Sequence, residues 1–355
     1  MSTFGDKIKL TVFGESHGNG IGAVIDGIPA GYKIDMDKVL LQMSRRAPGK
    51  DKTATPRVEK DFPNVKSGIL NNVTTGAPIC CVIENTNTQS GDYSNLLNVP
   101  RPGHSDYTAY VKYQGCNDIR GGGHFSGRLT APIVFAGSIF RQILEEKGIK
   151  ISAHISSIGN VEDENFDPVN IDAELMDRLS TSRFSLIDES KEEEMRQVVE
   201  DARMSLDSVG GTVECIVTGM PVGVGGPLFE GIEGQIAKAM FGIPAVKGIE
   251  FGKGFESAKR KGSENNDPFE YKDGKVVTST NNCGGILGGI SNGMPITFKI
   301  AIKPTPSISK EQDSVNLQSR ENDKLIVKGR HDPCIVPRAV PVVEAMTAIA
   351  IFDLL

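Results

Sequence analysis

The sequence predicts an α+β fold: a layered β-α-β sandwich of mixed or antiparallel sheets with internal helices, and not a Rossmann sheet. Two observations carry this. Strand-length apolar runs and helical patterns follow one another without a regular βαβ alternation. Glycine is in excess, 40 of 355 residues, and it clusters between the apolar runs. That is the mark of many short elements joined by loops whose backbone approaches a ligand or takes up positive φ. A chain of this length buries a substantial core without disulfide or metal staples, and residues 1–355 are read as one domain.

Alternating or continuous apolar runs place strands near residues 7–13, 20–27, 78–84, 149–157, 212–219 and 295–303. A helix is expected over 36–46, capped by Asp35 and stopped before Pro48. A second follows Thr130 over 131–146 and ends at Gly148, with Pro132 tolerated in its first turn. Ser190 and Glu193 have the spacing of a capping box that opens a polar helix ending near Gly210-Gly211. Further helices are expected at 231–241 and 340–352, the latter in an apolar stretch that suits either the core or a subunit contact. The polar, turn-rich segments 259–275 and 309–325 are expected as mobile surface loops. GIGAVIDGIPAG (20–31) and GGILGGISNGMPI (284–296) echo one another faintly, as an internal duplication could, although two glycine-rich hairpins would look similar by chance.

Composition narrows the function. The 39 basic and 45 acidic residues give a formal charge of −6, which argues against a nucleic-acid partner held by a global positive field. A small anion can still be held by local cations, because screening confines their influence to ~8–10 Å. The six cysteines have no metal-binding spacing, and no stretch reaches the ~20 apolar residues that span a bilayer. The N-terminus lacks a secretory signal, so a reduced, cytoplasmic setting is expected.

Histidine and arginine carry the chemistry. Four of the five histidines sit in glycine- or proline-flanked polar loops: His17 in FGESHGNG, His104 in RPGHSDY, His124 in RGGGHFSGR and His331 in GRHDPC. His154 lies in the apolar run ISAHISSI and reads as a hydrogen-bonded core residue. Histidine exchanges protons near neutral pH, and general acid–base catalysis contributes ~10²–10⁴-fold. Arg45, Arg46, Arg101, Arg120, Arg128 and Arg330 fall at helix ends or beside these loops, where a guanidinium can grip phosphate or carboxylate in bidentate fashion. The triple glycine at 121–123, followed by a helix, offers backbone N–H groups to an anion, though it matches no P-loop. No H-E-x-x-H, paired C-x-x-C or carboxylate cluster calls for a metal.

Several stretches, in order and spacing, resemble the chorismate synthase family. These are FGESHGNGIGAVIDGIPAG (13–31), MSRRAPGK (43–50), RPGHSDYTAYVKYQGCNDIRGGGHFSGRLTAP (101–132), GIPAVKGIEFGKGF (242–255), NNCGGILGGISNGMPITFKIAIKPTPSIS (281–309) and GRHDPCIVPRAVPVVEA (329–345). The resemblance runs from about residue 7 to residue 350. It implies an anti 1,4-elimination of phosphate from 5-enolpyruvylshikimate 3-phosphate, with loss of a C6 proton, to give chorismate. The reaction has no net redox change yet requires reduced FMN, which NADPH can supply indirectly. The family is homotetrameric.

By motif, the resemblance assigns His17 to the reduced flavin, His104 to protonation of the leaving phosphate, and Asp332 to the C6 deprotonation. Arg46, Arg101, Arg128 and Arg330 would grip the substrate's phosphate and two carboxylates. The flavin would contact His124, Phe125, Ser126, Pro244, Ala245, Gly288, the loop Lys303, Pro304, Thr305, Pro306 and Ser307, and Arg330. Arg46 and Lys52 fall at the NADP-contacting positions. Many members read GGGRSSARET where this chain has GGGHFSGRLT, so His124, Phe125 and Leu129 replace arginine, serine and glutamate, and Lys52 also replaces an arginine. The alternatives left by the residues themselves are another flavin-dependent oxidoreductase acting on a phosphorylated carboxylate, or a non-catalytic anion- or nucleotide-binding protein.

Overall fold

The computed structural model describes residues 2–49, 61–86, 96–327 and 331–355. Among them, two five-stranded sheets enclose a helical layer. The first contains β1 (Thr3–Phe4), β2 (Lys9–Gly14), β3 (Gly20–Asp26), β4 (Asn64–Ser67) and β5 (Ile79–Glu84), in the order β1-β2-β3-β5-β4. The second contains β6 (Lys150–Ile158), β7 (Val161–Glu162), β8 (Gly211–Thr218), β9 (Val246–Phe251) and β10 (Ile296–Ile302), in the order β9-β10-β8-β6-β7. Every pairing within the two sheets is antiparallel, which is why no βαβ rhythm appears in the sequence.

The helices of seven or more residues are α1 (Met36–Arg46), α2 (Asp106–Lys112), α3 (Thr130–Glu146), α4 (Ala173–Thr181), α5 (Glu192–Met204), α6 (Ile232–Met240) and α7 (Val336–Leu354). α3 and α7 form the middle layer. α3 packs on β2, β3 and β5, α7 packs on β6 and β8, and the two helices pack on each other. Both are apolar on every side, as a helix between two sheets must be. α3 is buried without a break from Thr130 to Arg141, and α7 from Ala339 to Ile351. The C-terminal apolar stretch is therefore core. At Gly137 a Cβ would lie 2.3 Å from the Ala345 Cα, so glycine is what lets these helices approach so closely.

Charges inside this layer are paired. Glu344 of α7 accepts from Arg45 Nη1 at 2.5 Å, from Arg141 Nη1 at 3.0 Å and from the Ala153 backbone N–H at 3.1 Å. Arg45, read from the sequence among the anion-gripping arginines, is thus committed to the core, while its neighbour Arg46 points elsewhere. His154 meets its expectation. It is fully buried, with Nδ1 2.9 Å from Asp163 Oδ2 and Nε2 2.8 Å from Glu214 Oε2.

Several boundaries differ from the sequence reading, each for a local reason. α1 spans the expected residues, and Asp35 Oδ1 accepts from the Asp37 and Lys38 amides. Thr130 is the first residue of α3 rather than its cap. A 3₁₀ turn over Gly127–Leu129, capped by Ser126, precedes it. The Ser190–Glu193 box does not form, because Asp188 accepts from the Ser190 amide and opens a 3₁₀ turn one step earlier. α5 ends at Met204, and Gly211 already belongs to β8. α7 begins at Val336 and runs through Pro341, whose missing N–H would have bonded a first-turn carbonyl.

The two polar segments read as loops hold secondary structure. Phe269–Lys272 pairs with Lys275–Thr278, and β11 (Gln312–Asn316) pairs with β12 (Glu321–Leu325). Strongly polar hairpins lack the apolar alternation that marks a half-buried strand, so periodicity passes them over. The glycine echo also separates: residues 20–26 are β3, whereas 286–291 form a small hairpin. No helix among the described residues is long and apolar enough to cross a membrane.

Candidate active site

A cleft of about 930 Å³ opens beside the N-termini of α3 and α7. Its apolar part comes from Leu10 and Val12 of β2, Ile133 of α3, Ile243 and Val246, and Ala339, Val342 and Met346 of α7. Its polar part is cationic: Arg46, Arg101, Arg128, Arg338, Lys112, Lys238, Lys247 and Lys303 line it, with His104, His124, His331 and Asp332. That volume lies near the top of the range for small-molecule pockets, ~300–1,000 Å³, so two ligands fit together.

Each cleft arginine described here is held by a carboxylate. Asp61 bridges two of them: its Oδ2 lies 2.5 Å from Arg46 Nη1, and its Oδ1 accepts from Arg128 Nη1. Arg128 also donates to Asn85 Oδ1 at 3.1 Å. Arg101 donates to Asp106 through its backbone N–H, Nε and Nη2, and through Nη1 to Ser307 Oγ at 3.0 Å. Arg338 bonds Asp332 and donates through Nε to the Arg46 carbonyl at 2.9 Å. These partners orient the guanidinium forks, and fork geometry is what two-point recognition of carboxylate or phosphate requires.

The histidines take different positions. His104 follows the Arg101-Pro102-Gly103 turn, with Nδ1 2.6 Å from Asp106 Oδ1. His17 is 7 % exposed and stands behind the triple-glycine turn rather than among the cleft-lining residues. A Cβ on Gly121 would sit 2.2 Å from His17 Nδ1, and Gly121, Gly122 and Gly123 all have φ between 53° and 84°. Only glycine allows that turn to lie flat between His17 and the cleft. His124 has both ring nitrogens engaged, Nδ1 with the Gly14 carbonyl at 2.8 Å and Nε2 with Ser2 Oγ at 2.7 Å. It lines the cleft mainly as an anchor tying the glycine turn to β2. Phe125 is partly exposed beside Tyr113, ring centroids 6.3 Å apart.

Of the other expected residues, Ser126, Pro244, Ala245, Lys303, Thr305, Pro306 and Ser307 line the cleft. Lys303 donates to the Gly103 carbonyl, and burial together with the nearby Lys247 pulls its ammonium below the ordinary lysine range. Pro304 and Gly288 are not among the lining residues, and Gly288 turns the separate hairpin at 286–291. Arg330 and Lys52 lie outside the described residues. The sequence reading missed Asp61, Asp106, Lys238, Lys247 and Arg338. Asp106, Lys247 and Arg338 fall within stretches that carried the resemblance, whereas nothing in the sequence around Asp61 or Lys238 marks either.

The arrangement can bind a polyanion, shield it from water on an apolar floor and deliver a proton from an imidazole. Among the described residues, no group of three or more His, Cys, Asp or Glu could hold a metal. Comparison with known proteins points the same way. The chorismate synthase family model matches residues 8–355. A chorismate synthase of Dehalococcoides mccartyi (strain ATCC BAA-2266 / KCTC 15142 / 195) is 47% identical over 353 residues, covering 99% of this chain and 96% of the relative. One from Pyrococcus abyssi is 48% identical over 349 residues, covering 98% and 96%. A crystal structure of chorismate synthase superposes with a TM-score of 0.75 at 28% identity, covering 99% of this chain and 92% of that one.

Proposed function

This chain belongs to the chorismate synthase family, and on that premise we propose how its cleft performs the family's reaction. The activity is elimination of phosphate from 5-enolpyruvylshikimate 3-phosphate to give chorismate, a carbon–oxygen lyase step of the shikimate pathway to the aromatic amino acids. Membership brings a flavin cofactor with it. We take the flavin to be reduced FMN, with NADPH as an indirect reductant at Arg46 and Lys52.

The residues present fit such a group: apolar side chains, several cations and a volume with room for a second ligand. When bound, the flavin supplies a transient electron that helps expel phosphate and a place for the C6 hydrogen. The protein's own residues do the rest. Arg46, Arg101 and Arg128 grip the anionic groups of the substrate, joined by Arg330 on the strength of its motif. His104 gives a proton to the departing phosphate, whose C–O bond pair leaves with it. Asp332, held by Arg338, assists loss of the C6 proton. His17 steadies the charge of the reduced flavin from behind the Gly121–Gly123 turn. Ser126, Pro244, Ala245 and the Lys303–Ser307 loop border the flavin, with Phe125 at the rim.

The observation that carries the reading is that Arg46, Arg101, Arg128, Arg338 and Lys303 line one cleft together with His104. A trianionic substrate needs that much positive charge, and a leaving phosphate needs an acid beside it. The deciding experiment is anaerobic: purified protein, chemically reduced FMN, NADPH and 5-enolpyruvylshikimate 3-phosphate, with chorismate and NADPH oxidation as the readouts. Product is expected without stoichiometric NADPH oxidation. Stoichiometric oxidation would mark a different flavin-dependent oxidoreductase, and no product at all would leave only anion binding.

We further propose that the chain folds as one domain, works in the cytoplasm and assembles as a homotetramer. Six unpaired cysteines suit a reducing compartment. Leu228 and Phe229, 88 % and 92 % exposed, suit a subunit contact. Gly288 lies outside the cleft of its own chain, so its flavin contact is proposed only as one made by a neighbouring copy. Sedimentation at several protein concentrations tests the assembly.

A further inference from the structure

We infer that Asp106 is a positioning residue for the reaction: it holds the His104 ring in the tautomer with its hydrogen on Nδ1 and so reserves Nε2 for proton exchange in the cleft. The inference rests on the reading of His104 as the proton donor, and adds to it a residue that the motif comparison left without a part.

Three groups lie within hydrogen-bond distance of His104 Nδ1, and the most distant, Ser105 Oγ at 3.4 Å, can donate or accept and so favours neither tautomer; the other two compete. Asp106 Oδ1 lies 2.6 Å away and Arg101 Nη2 lies 3.1 Å away. A guanidinium only donates and an ionised carboxylate only accepts, so the two neighbours favour opposite tautomers. The shorter contact is the one to Asp106, and it places the hydrogen on Nδ1.

Asp106 is equipped to stay ionised. It is 9 % exposed and accepts from Arg101 N at 3.0 Å, Nε at 2.7 Å and Nη2 at 2.8 Å. Burial alone would raise its carboxyl, but the bonds from Arg101 and His104 outweigh it and hold the group well below the usual carboxylate range. Nε2 is on the far edge of the ring, where a Cβ on Gly122 would lie 3.2 Å from it. Gly122 has none, so no side chain at that position covers the nitrogen. The charged groups that contact the ring are Arg101 and Asp106 from its own segment; Lys303, from the loop after β10, donates to the neighbouring Gly103 carbonyl, and Gly121–Gly123 bring no side chain at all.

This geometry has a chemical consequence. With Asp106 present, a doubly protonated ring faces a carboxylate on one side and can release its Nε2 proton without rearranging the other side. Without that carboxylate, Arg101 donates to Nδ1, the ring keeps a single hydrogen on Nε2, and it becomes a poorer acid.

The test begins with the wild-type protein labelled with ¹⁵N-histidine, His104 being assigned by its loss in His104→Gln. The expected spectrum of the neutral ring has a protonated Nδ1 and an unprotonated Nε2. The reverse pattern, or fast averaging of the two tautomers, overturns the inference. Asp106→Asn should lower turnover on the order of 10²-fold, raise KM because Arg101 loses the same carboxylate partner, and move the alkaline limb of kcat to lower pH. A loss of activity with an unmoved limb would make Asp106 merely structural and overturn the inference. Full turnover in His104→Gln would instead bring down the reading of His104 as the acid, whatever tautomer the spectrum shows.

Discussion

Asp61 Oδ2 lies 2.5 Å from Arg46 Nη1, and both side chains are almost wholly removed from solvent. The same carboxylate takes Arg128, so one buried anion aligns two guanidiniums that border the cleft. Asp61 adopts φ 42°, a conformation that side chains other than glycine rarely take up, and its two ion pairs help hold it there.

Asp61→Asn should therefore destabilise the protein by about 3–5 kcal/mol, the cost of removing one partner from a buried ion pair. Inorganic phosphate should recover more of that loss in the variant than it adds to the wild type, because an anion can replace the missing charge between the two arginines. Thermal melts with and without phosphate check this. Equal phosphate shifts in the two proteins would show that Asp61 does not stand in for a bound anion.

Gly121→Ala forces a Cβ to within 2.2 Å of His17 Nδ1 at a φ of 60°. The turn or the histidine must move by about 1 Å, a misplacement that can cost ~10²-fold in rate. Turnover should fall by that order while the far-ultraviolet circular dichroism stays that of the wild type. Unchanged turnover would remove both His17 and the turn from the chemistry.

Gly137→Ala tests the middle layer. The added methyl meets Ala345 at 2.3 Å, and overpacking of this kind costs about 1–3 kcal/mol. Denaturant unfolding should show a lower midpoint with an unchanged slope. A neutral result would mean that α3 and α7 can part without loss.

His154 links stability to pH. Its burial disfavours the charged ring, but the bonds it donates to Asp163 and Glu214 outweigh that and raise its proton affinity above the ordinary histidine value, while Asp163 is lowered. The histidine contribution is complete below the unfolded value of ~6.5 and is lost as pH rises through the folded value. The Asp163 contribution is lost in the opposite direction, as pH falls through its depressed folded value. His154→Gln should be less stable than the wild type by the widest margin at mildly acidic pH, and the gap should narrow toward alkaline pH. A gap constant across that range would mean that the ring is not held charged.

Much of the architecture was legible in the sequence because burial leaves a periodic trace. The runs at 20–27 and 149–157 alternate or stay apolar because β3 and β6 each cover one face of the middle layer. The Asp35 cap was legible because its partners are two and three residues away. The hairpin β11–β12 was not, because its residues are polar on both faces and only their pairing marks them as strands.

The same division runs through the site. His104, Arg101 and the glycine turn could be read from sequence because residue type and local spacing already state their chemistry, and the family resemblance rested on the same stretches. What only the tertiary structure decided is which charged groups meet. Arg45 and Arg46 are neighbours in the chain, yet one is spent on Glu344 in the core and the other on Asp61 at the cleft. Asp332 finds Arg338 six residues on, whereas Asp61 finds Arg128 across 67 positions. Electrostatic pairing depends on distance in space, and one sequence does not print distances between residues that folding alone brings together.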